Sequence, residues 1–174
     1  MSLLHHWILS TSQTISESVI LDSYWQTVFP QIAFLHPFVM HGILSIAALH
    51  LGYLQGANKE RRMIDAARHH NVALQGFREH LARPSDDNSD ALFACASLNL
   101  LYVFGLPIQR HDRQHGEAEP ASRISRILGA EWIPMSRGVE AVLQSVYDRV
   151  RLGPLRAMLD LRNWVELSPN NEPS

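Results

Sequence analysis

The apolar residues of this chain recur at helical spacing, and they do so almost from end to end. Between Lys59 and Arg83, the residues Met63, Ala66, Ala67, His70, Leu74, Phe77 and Leu81 stand three and four positions apart. At 3.6 residues per turn they share one face, while Arg61, Arg62, Asp65, Arg68, Gln75 and Glu79 take the other. The strict alternation of a half-buried strand is almost absent, and no segment repeats at a fixed period. A chain patterned in this way closes its core by packing helix on helix. The expected fold is all-α, an irregular helical bundle of about six to seven helices around a central apolar helix.

The same spacing divides the chain. Leu3 to Ile15 predicts a first helix with Leu4, Trp7, Ile8 and Thr11 on one face, and Ser23 to Phe34 a second, interrupted by Pro30. A third opens at His36-Pro37, because proline suits a first helical position whose N–H has no partner anyway. Met40, Ile43, Leu44, Ala47, Leu51 and Leu54 mark its packing stripe, and Gly56-Ala57-Asn58 ends it. The fourth is the Lys59–Arg83 segment. Pro84 stops it, and the polar run Ser85 to Asp90 caps the next, since acidic side chains suit a helix N-terminus. Ala91 to Phe104 is apolar nearly all round, which places it in the middle of the bundle, with Gly105 and Pro107 as its end. Gln109 to Ala121 lacks periodicity and reads as a mobile loop. A sixth helix runs from Pro134 to Arg151 on Val139, Val142, Leu143, Val146 and Val150, and a short seventh follows Gly153-Pro154 through Leu161. Residues 1–165 are thus expected to form one helical domain, and residues 166–174 a disordered tail.

Composition removes several functions. The formal net charge is −2, and although 14 of the 15 basic residues are arginines they are scattered, so no surface for nucleic acid is expected. Cys95, the single cysteine, excludes an intramolecular disulfide and any multi-cysteine metal site, and its apolar neighbours mark it as a small buried hydrophobe. No signal peptide opens the chain, and it reads as intracellular. The two greasiest stretches, Ile32–Leu54 and Ala91–Ile108, are interrupted by histidine, proline or polar residues and read as buried helices, so no membrane span is expected. The charged share, 18% against a usual value of about 25%, points to extra apolar surface that a ligand or partner covers.

Ten histidines raise the question of a metal. On an ideal helix, however, His41 and His50 lie on opposite sides, the neighbours His69 and His70 diverge, and no pair has the i, i+4 spacing of a chelate. No metal and no cofactor are expected, and His41, His50 and His70 read as hydrogen-bonded core or pocket residues. A GxSxG elbow, a glycine-rich phosphate loop and an HExxH motif are all missing.

Beyond this patterning, the chain resembles a known family. The stretch Leu4-His5-His6-Trp7, the run Ala33-Phe34-Leu35-His36-Pro37-Phe38-Val39-Met40-His41-Gly42-Ile43-Leu44-Ser45-Ile46-Ala47-Ala48-Leu49-His50-Leu51, and the pieces His69-His70, Ala73-Leu74 and Phe77-Arg78 are similar to the C-terminal regulatory domain of fungal zinc-cluster transcription factors of the sterol-uptake-control type. Asn88 with Ala91-Leu92-Phe93-Ala94, Arg137-Gly138-Val139 and Gly153-Pro154-Leu155 extend the resemblance over most of residues 4–160. It implies a helical domain whose apolar pocket holds a sterol and whose occupancy governs nuclear entry or activation, in nucleus or cytoplasm. With one cysteine the chain lacks the six-cysteine DNA-binding cluster, so no direct DNA binding is expected, and it stops about halfway through the family's ligand-binding domain.

Three functions remain. The first is a ligand-sensing domain binding a hydrophobic small molecule of sterol or isoprenoid type through Met40, His41, Leu44, Phe77, Phe93 and Ala96. The second is an enzyme of fungal secondary metabolism, a cyclase or isomerase using His41 or His70 as acid and base. The third is an interaction module whose exposed half-core forms a homodimer or receives a regulatory protein.

Overall fold

The computed structural model describes residues 2–16, 19–54, 58–111, 141, 142 and 144–159. Helices and helical turns make up its regular structure, and no strand occurs among the described residues. The all-α expectation holds.

The first predicted helix is shorter than its apolar spacing suggested. Helix α1 covers Leu3–Leu9, Ser10 departs from helical geometry (φ −139°, ψ −60°), and a 3₁₀ turn follows at Thr11–Thr14. The Ser12 hydroxyl donates to the Ile8 carbonyl (3.3 Å) and the Thr14 hydroxyl to Thr11 (2.8 Å), so short polar side chains compete with the backbone ladder. Trp7 anchors the segment: it is fully buried, and its indole N–H donates to the Trp25 carbonyl across 2.9 Å.

Pro30 is accommodated by a change of helical pitch. Helix α2 (Val19–Ser23) passes into a π-helical turn at Tyr24–Val28, in which the Phe29 N–H bonds back to the Tyr24 carbonyl. Helix α3 (Phe29–Leu35) then begins with Pro30 in its first turn, where a missing donor costs little. His36 is extended (φ −127°, ψ 97°), as the residue before a proline must be, and it separates α3 from α4 (Pro37–Leu54).

Helix α4 is the hub, packing on α1, α3, α5 and α6. Phe38, Val39, Ile43, Ala47 and Leu51 are buried, whereas Met40 and Leu44 of the predicted stripe are only half-buried and Leu54 is exposed. By length and composition α4 is apolar enough to cross a membrane, but 61% of it is already buried inside this domain, as befits a core helix. Helix α5 (Lys59–Leu81) lies against it in the reverse direction. Only Ala66 and Ala73, seven residues apart, are fully buried on α5, and these small side chains bring the two helices close.

Helix α6 (Ser89–His111) has the expected all-round burial from Ala91 to Ala96, but it does not stop where the sequence suggested. It continues through Gly105 and Pro107, because a proline removes one i→i−4 bond, here to Val103, without forcing the chain to leave the helix. The Ser85 N–H donates to Asn88 Oδ1 (2.8 Å) and the Ser89 hydroxyl to the Ser85 carbonyl (2.5 Å), which fixes the turn into α6. Residues 144–150 are helical and bury Val146 and Val150 against the core; Val142, Leu155 and Met158 are buried with them. The predicted seventh helix is a 3₁₀ turn at Arg156–Leu159. The remainder of the Gln109–Ala121 loop, the first part of the sixth helix with Leu143, and the 166–174 tail lie outside the described residues.

Candidate functional site

The break at His36-Pro37 makes a corner, and the corner leaves a hollow. Ala33 and Phe34 from the end of α3 meet Pro37, Met40 and His41 from the first turns of α4 around an open depression of about 240 Å³. Four of these five lining residues are apolar, and His41 is the polar one. Phe34 and the neighbouring Leu35 stand 69% and 78% exposed, far beyond what a core side chain shows, so the apolar surface continues over the rim.

His41 is tied to the next helix. Its Nδ1 lies 2.8 Å from Nδ1 of His69 on α5, with ring centroids 5.0 Å apart and the rings tilted by 36°. An N–H···N bond of that length requires one Nδ1 to carry its proton and the other to be bare. Burial holds both imidazoles below their ordinary range, and at His69 the nearby His41 adds to it while Asp65 works against it. The pair is therefore neutral near pH 7.

Other histidines line the faces that α4 turns to α1 and to α5. His50 Nδ1 sits 3.0 Å from the Thr11 hydroxyl and its ring 5.0 Å from that of His6, while His80 stacks on Phe38 at 4.6 Å. His70 departs from the hydrogen-bonded role expected of it. It turns away from His69, stacks on Tyr102 of α6 at 3.7 Å with the rings 8° from parallel, and leaves Nδ1 without a hydrogen-bond partner among the described residues. Burial pushes it down to about 4. No group of three or more His, Cys, Asp or Glu side chains fit to hold a metal occurs among the described residues.

Of the six residues expected to line a ligand site, the depression gathers Met40 and His41. Leu44 is half-buried farther along α4, Phe77 packs on the core from α5, and Phe93 and Ala96 are buried in α6. Between α4 and α6 there is little space: a Cβ at Gly42 would stand 3.0 Å from Leu98 Cδ1. His69 stands behind His41, and Ala33, Phe34 and Pro37 line the depression with Met40 and His41. Their signal in the sequence was the X-Pro break, which makes the end of one helix and the start of the next a single concave corner.

Residues 2–117 match the family described as the fungal specific transcription factor domain. That match covers well over half of the chain, which therefore belongs to this family of regulatory domains. Among individual relatives, the chain is 28% identical over 151 residues to Sterol uptake control protein 2 of Candida albicans, across 84% of this chain and 19% of that protein. It is 29% identical over 102 residues to Sterol uptake control protein 2 of Saccharomyces cerevisiae, across 58% of this chain and 11% of that one. The Zn(2)-C6 fungal-type transcription factor afumD of Aspergillus fumigatus is 27% identical over 154 residues, with 86% of this chain and 37% of the relative aligned. The chain thus spans a minor part of each relative's length. No solved structure matches it.

Proposed function

We propose that this regulatory domain senses a hydrophobic small molecule of sterol or isoprenoid type, and that its occupancy biases a partner surface in the nucleus or cytoplasm. The observation that carries this reading is the apolar hollow at the α3–α4 corner, in a chain aligned with two proteins named for sterol uptake control. Small-molecule sites are concave and mostly apolar, with few placed polar groups, and this hollow has that composition. At about 240 Å³ it is smaller than the ~300–1,000 Å³ of a complete drug-sized site, so it takes one end of an elongated guest and leaves the remainder to lie along the Phe34–Leu35 rim. A guest seated there touches two helices at once and favours whichever α3–α4 arrangement it fits better; that differential affinity is the whole of its regulatory effect.

Titration of the purified 174-residue chain with dehydroergosterol, a fluorescent sterol, tests the proposal through energy transfer from its four tryptophans. Saturable binding that falls at least about tenfold in Met40→Trp, which fills the hollow, is the expected result. Wild-type affinity in a folded Met40→Trp variant would place the sterol elsewhere, and a chain that binds none has another function.

A further inference from the structure

We propose that His41 and His69 form a two-way polar stop at the end of the hollow, selecting a guest whose terminus is a neutral hydroxyl or carbonyl. This rests on the ligand-sensing reading above and adds the chemistry of the guest's end. His41 both lines the hollow and bonds His69 through Nδ1, so the nitrogen it can offer a guest is Nε2. The two nitrogens of a neutral imidazole have opposite roles. When His41 accepts at Nδ1, its Nε2 carries the proton and donates to a carbonyl or hydroxyl oxygen. When His41 donates at Nδ1, its Nε2 is bare and accepts from a hydroxyl.

His69 makes both states available, because its own Nδ1 takes the complementary role in each. A lone histidine would exchange tautomers by trading protons with water. The pair exchanges in the same way at its outer nitrogens: the shared proton crosses from one Nδ1 to the other while water gives a proton to one Nε2 and takes one from the other, so both rings stay neutral, the Nδ1···Nδ1 bond is present in both states, and a hydroxyl can be met in either sense. His69 is thus a positioning residue, and His41 the contact.

The charge around the pair sets what is refused. Helices α3 and α4, which wall the hollow, contain no Asp, Glu, Lys or Arg. On α5 the charged groups acting on His69 are Asp65 and Arg68, of opposite sign. Burial keeps both imidazoles uncharged near neutral pH. A carboxylate entering the hollow would lose water and find no fixed cation, which is costly for an ion. An alcohol or ketone would exchange a water hydrogen bond for one to His41.

The test compares four probes on the full chain: dehydroergosterol, its 3-ketone, its 3-deoxy hydrocarbon and its 3-hemisuccinate, which ends in a carboxylate. Alcohol and ketone should bind about tenfold more tightly than the other two. His41→Leu should bind all four at the level of the deoxy compound, and His41→Gln, which keeps a donor and an acceptor, should restore the preference. His69→Leu should weaken the alcohol while leaving the deoxy compound unchanged, a split that a merely structural role would not give; circular dichroism verifies that each variant folds. Equal binding of alcohol and deoxy sterol by wild type, or a tenfold preference surviving in folded His41→Leu, overturns the polar stop while the ligand reading stands. Binding of none of the four overturns both.

Discussion

Replacing Gly76 by alanine should destabilise the protein, although alanine is the better helix former. Gly76 lies in the interior of α5, where glycine costs about 0.5–1 kcal/mol relative to alanine, so an unobstructed substitution would stabilise. The site is obstructed. A Cβ there would stand 2.5 Å from Phe38 Cβ and 3.3 Å from its Cγ, against a carbon–carbon optimum of about 3.5–4.0 Å. Phe38 cannot turn aside, because the first clash is with an atom fixed to the α4 backbone, whose own Cα is 3.7 Å away. The helices must separate by about 1 Å, and overpacking of this kind costs about 1–3 kcal/mol. A 2.5 Å approach to a backbone-fixed atom belongs in the upper half of that range, about 2–3 kcal/mol, so after the gain of about 0.5–1 kcal/mol the net loss is about 1–2.5 kcal/mol, which at this size lowers the melting temperature by about 2–10 °C. Gly105→Ala in α6 supplies the opposite case: among the described residues the new Cβ meets only Leu49 Cδ1 at 3.4 Å, the far end of a flexible side chain, so it should gain up to about 1 kcal/mol. Urea unfolding followed by tryptophan fluorescence measures both against wild type. A Gly76→Ala variant as stable as wild type would refute the close α4–α5 contact on which the His41–His69 pair depends.

Acid should weaken the fold in a defined window. His70 is held at about 4 in the folded chain against 6.5 when unfolded, so between those values the unfolded state binds more protons; its stabilisation is complete above about pH 6.5 and is lost as pH falls toward 4. His6, which is buried, and the half-buried His36, His41, His50 and His69 are lowered by desolvation and act in the same sense, and Asp90, raised by desolvation, in the opposite one, so His70→Phe should flatten the loss of stability between pH 6.5 and 4.5 without abolishing it; an unchanged slope would contradict the desolvation of His70. Cys95 should be inert: it is fully buried and its thiol is pushed up to about 12, so Ellman's reagent should react with it only after unfolding in urea, and prompt labelling of the native chain would refute that placement.

The sequence carries the fold more fully than it carries the site, and particular residues show why. Helical period identifies α4, α5 and α6 because each buries one face or more, and burial writes itself into spacing. Period says nothing about where backbone geometry changes within a helical run. The break at Ser10 and the π turn before Pro30 arise from local hydrogen bonding; the first falls inside a segment that reads as one helix, and the second lies just ahead of the interruption that Pro30 marks without specifying its form. The site is harder still. The i, i+4 rule tests histidines on one helix, so it passes over His41 and His69, which meet only because α5 folds back along α4. Phe93 and Ala96 belong to an apolar set that spacing alone reads as core and that the family resemblance reads as pocket wall; both are buried in α6 and neither lines the hollow at the α3–α4 corner.

The packing of α4 decides which motion a guest could drive. On the proposed reading a ligand touches α3 and α4 directly and α5 through the imidazole pair, while α4 already packs closely on α6 at Gly42–Leu98 and on α5 at Phe38–Gly76. Close-packed interfaces shift between discrete arrangements and do not deform continuously, so α4, α5 and α6 are expected to move as a block. At the α3–α4 corner one extended residue, His36, joins the two helices, while buried Phe29, Ile32 and Ala33 hold the body of α3 in the core. Phe34 and Leu35, at the end of α3, present their side chains to the surface, and they are the part of α3 a guest in the hollow would act on. A guest that closes the corner would therefore move an exposed apolar edge against a fixed α4–α6 frame, which is the kind of change a partner protein can read.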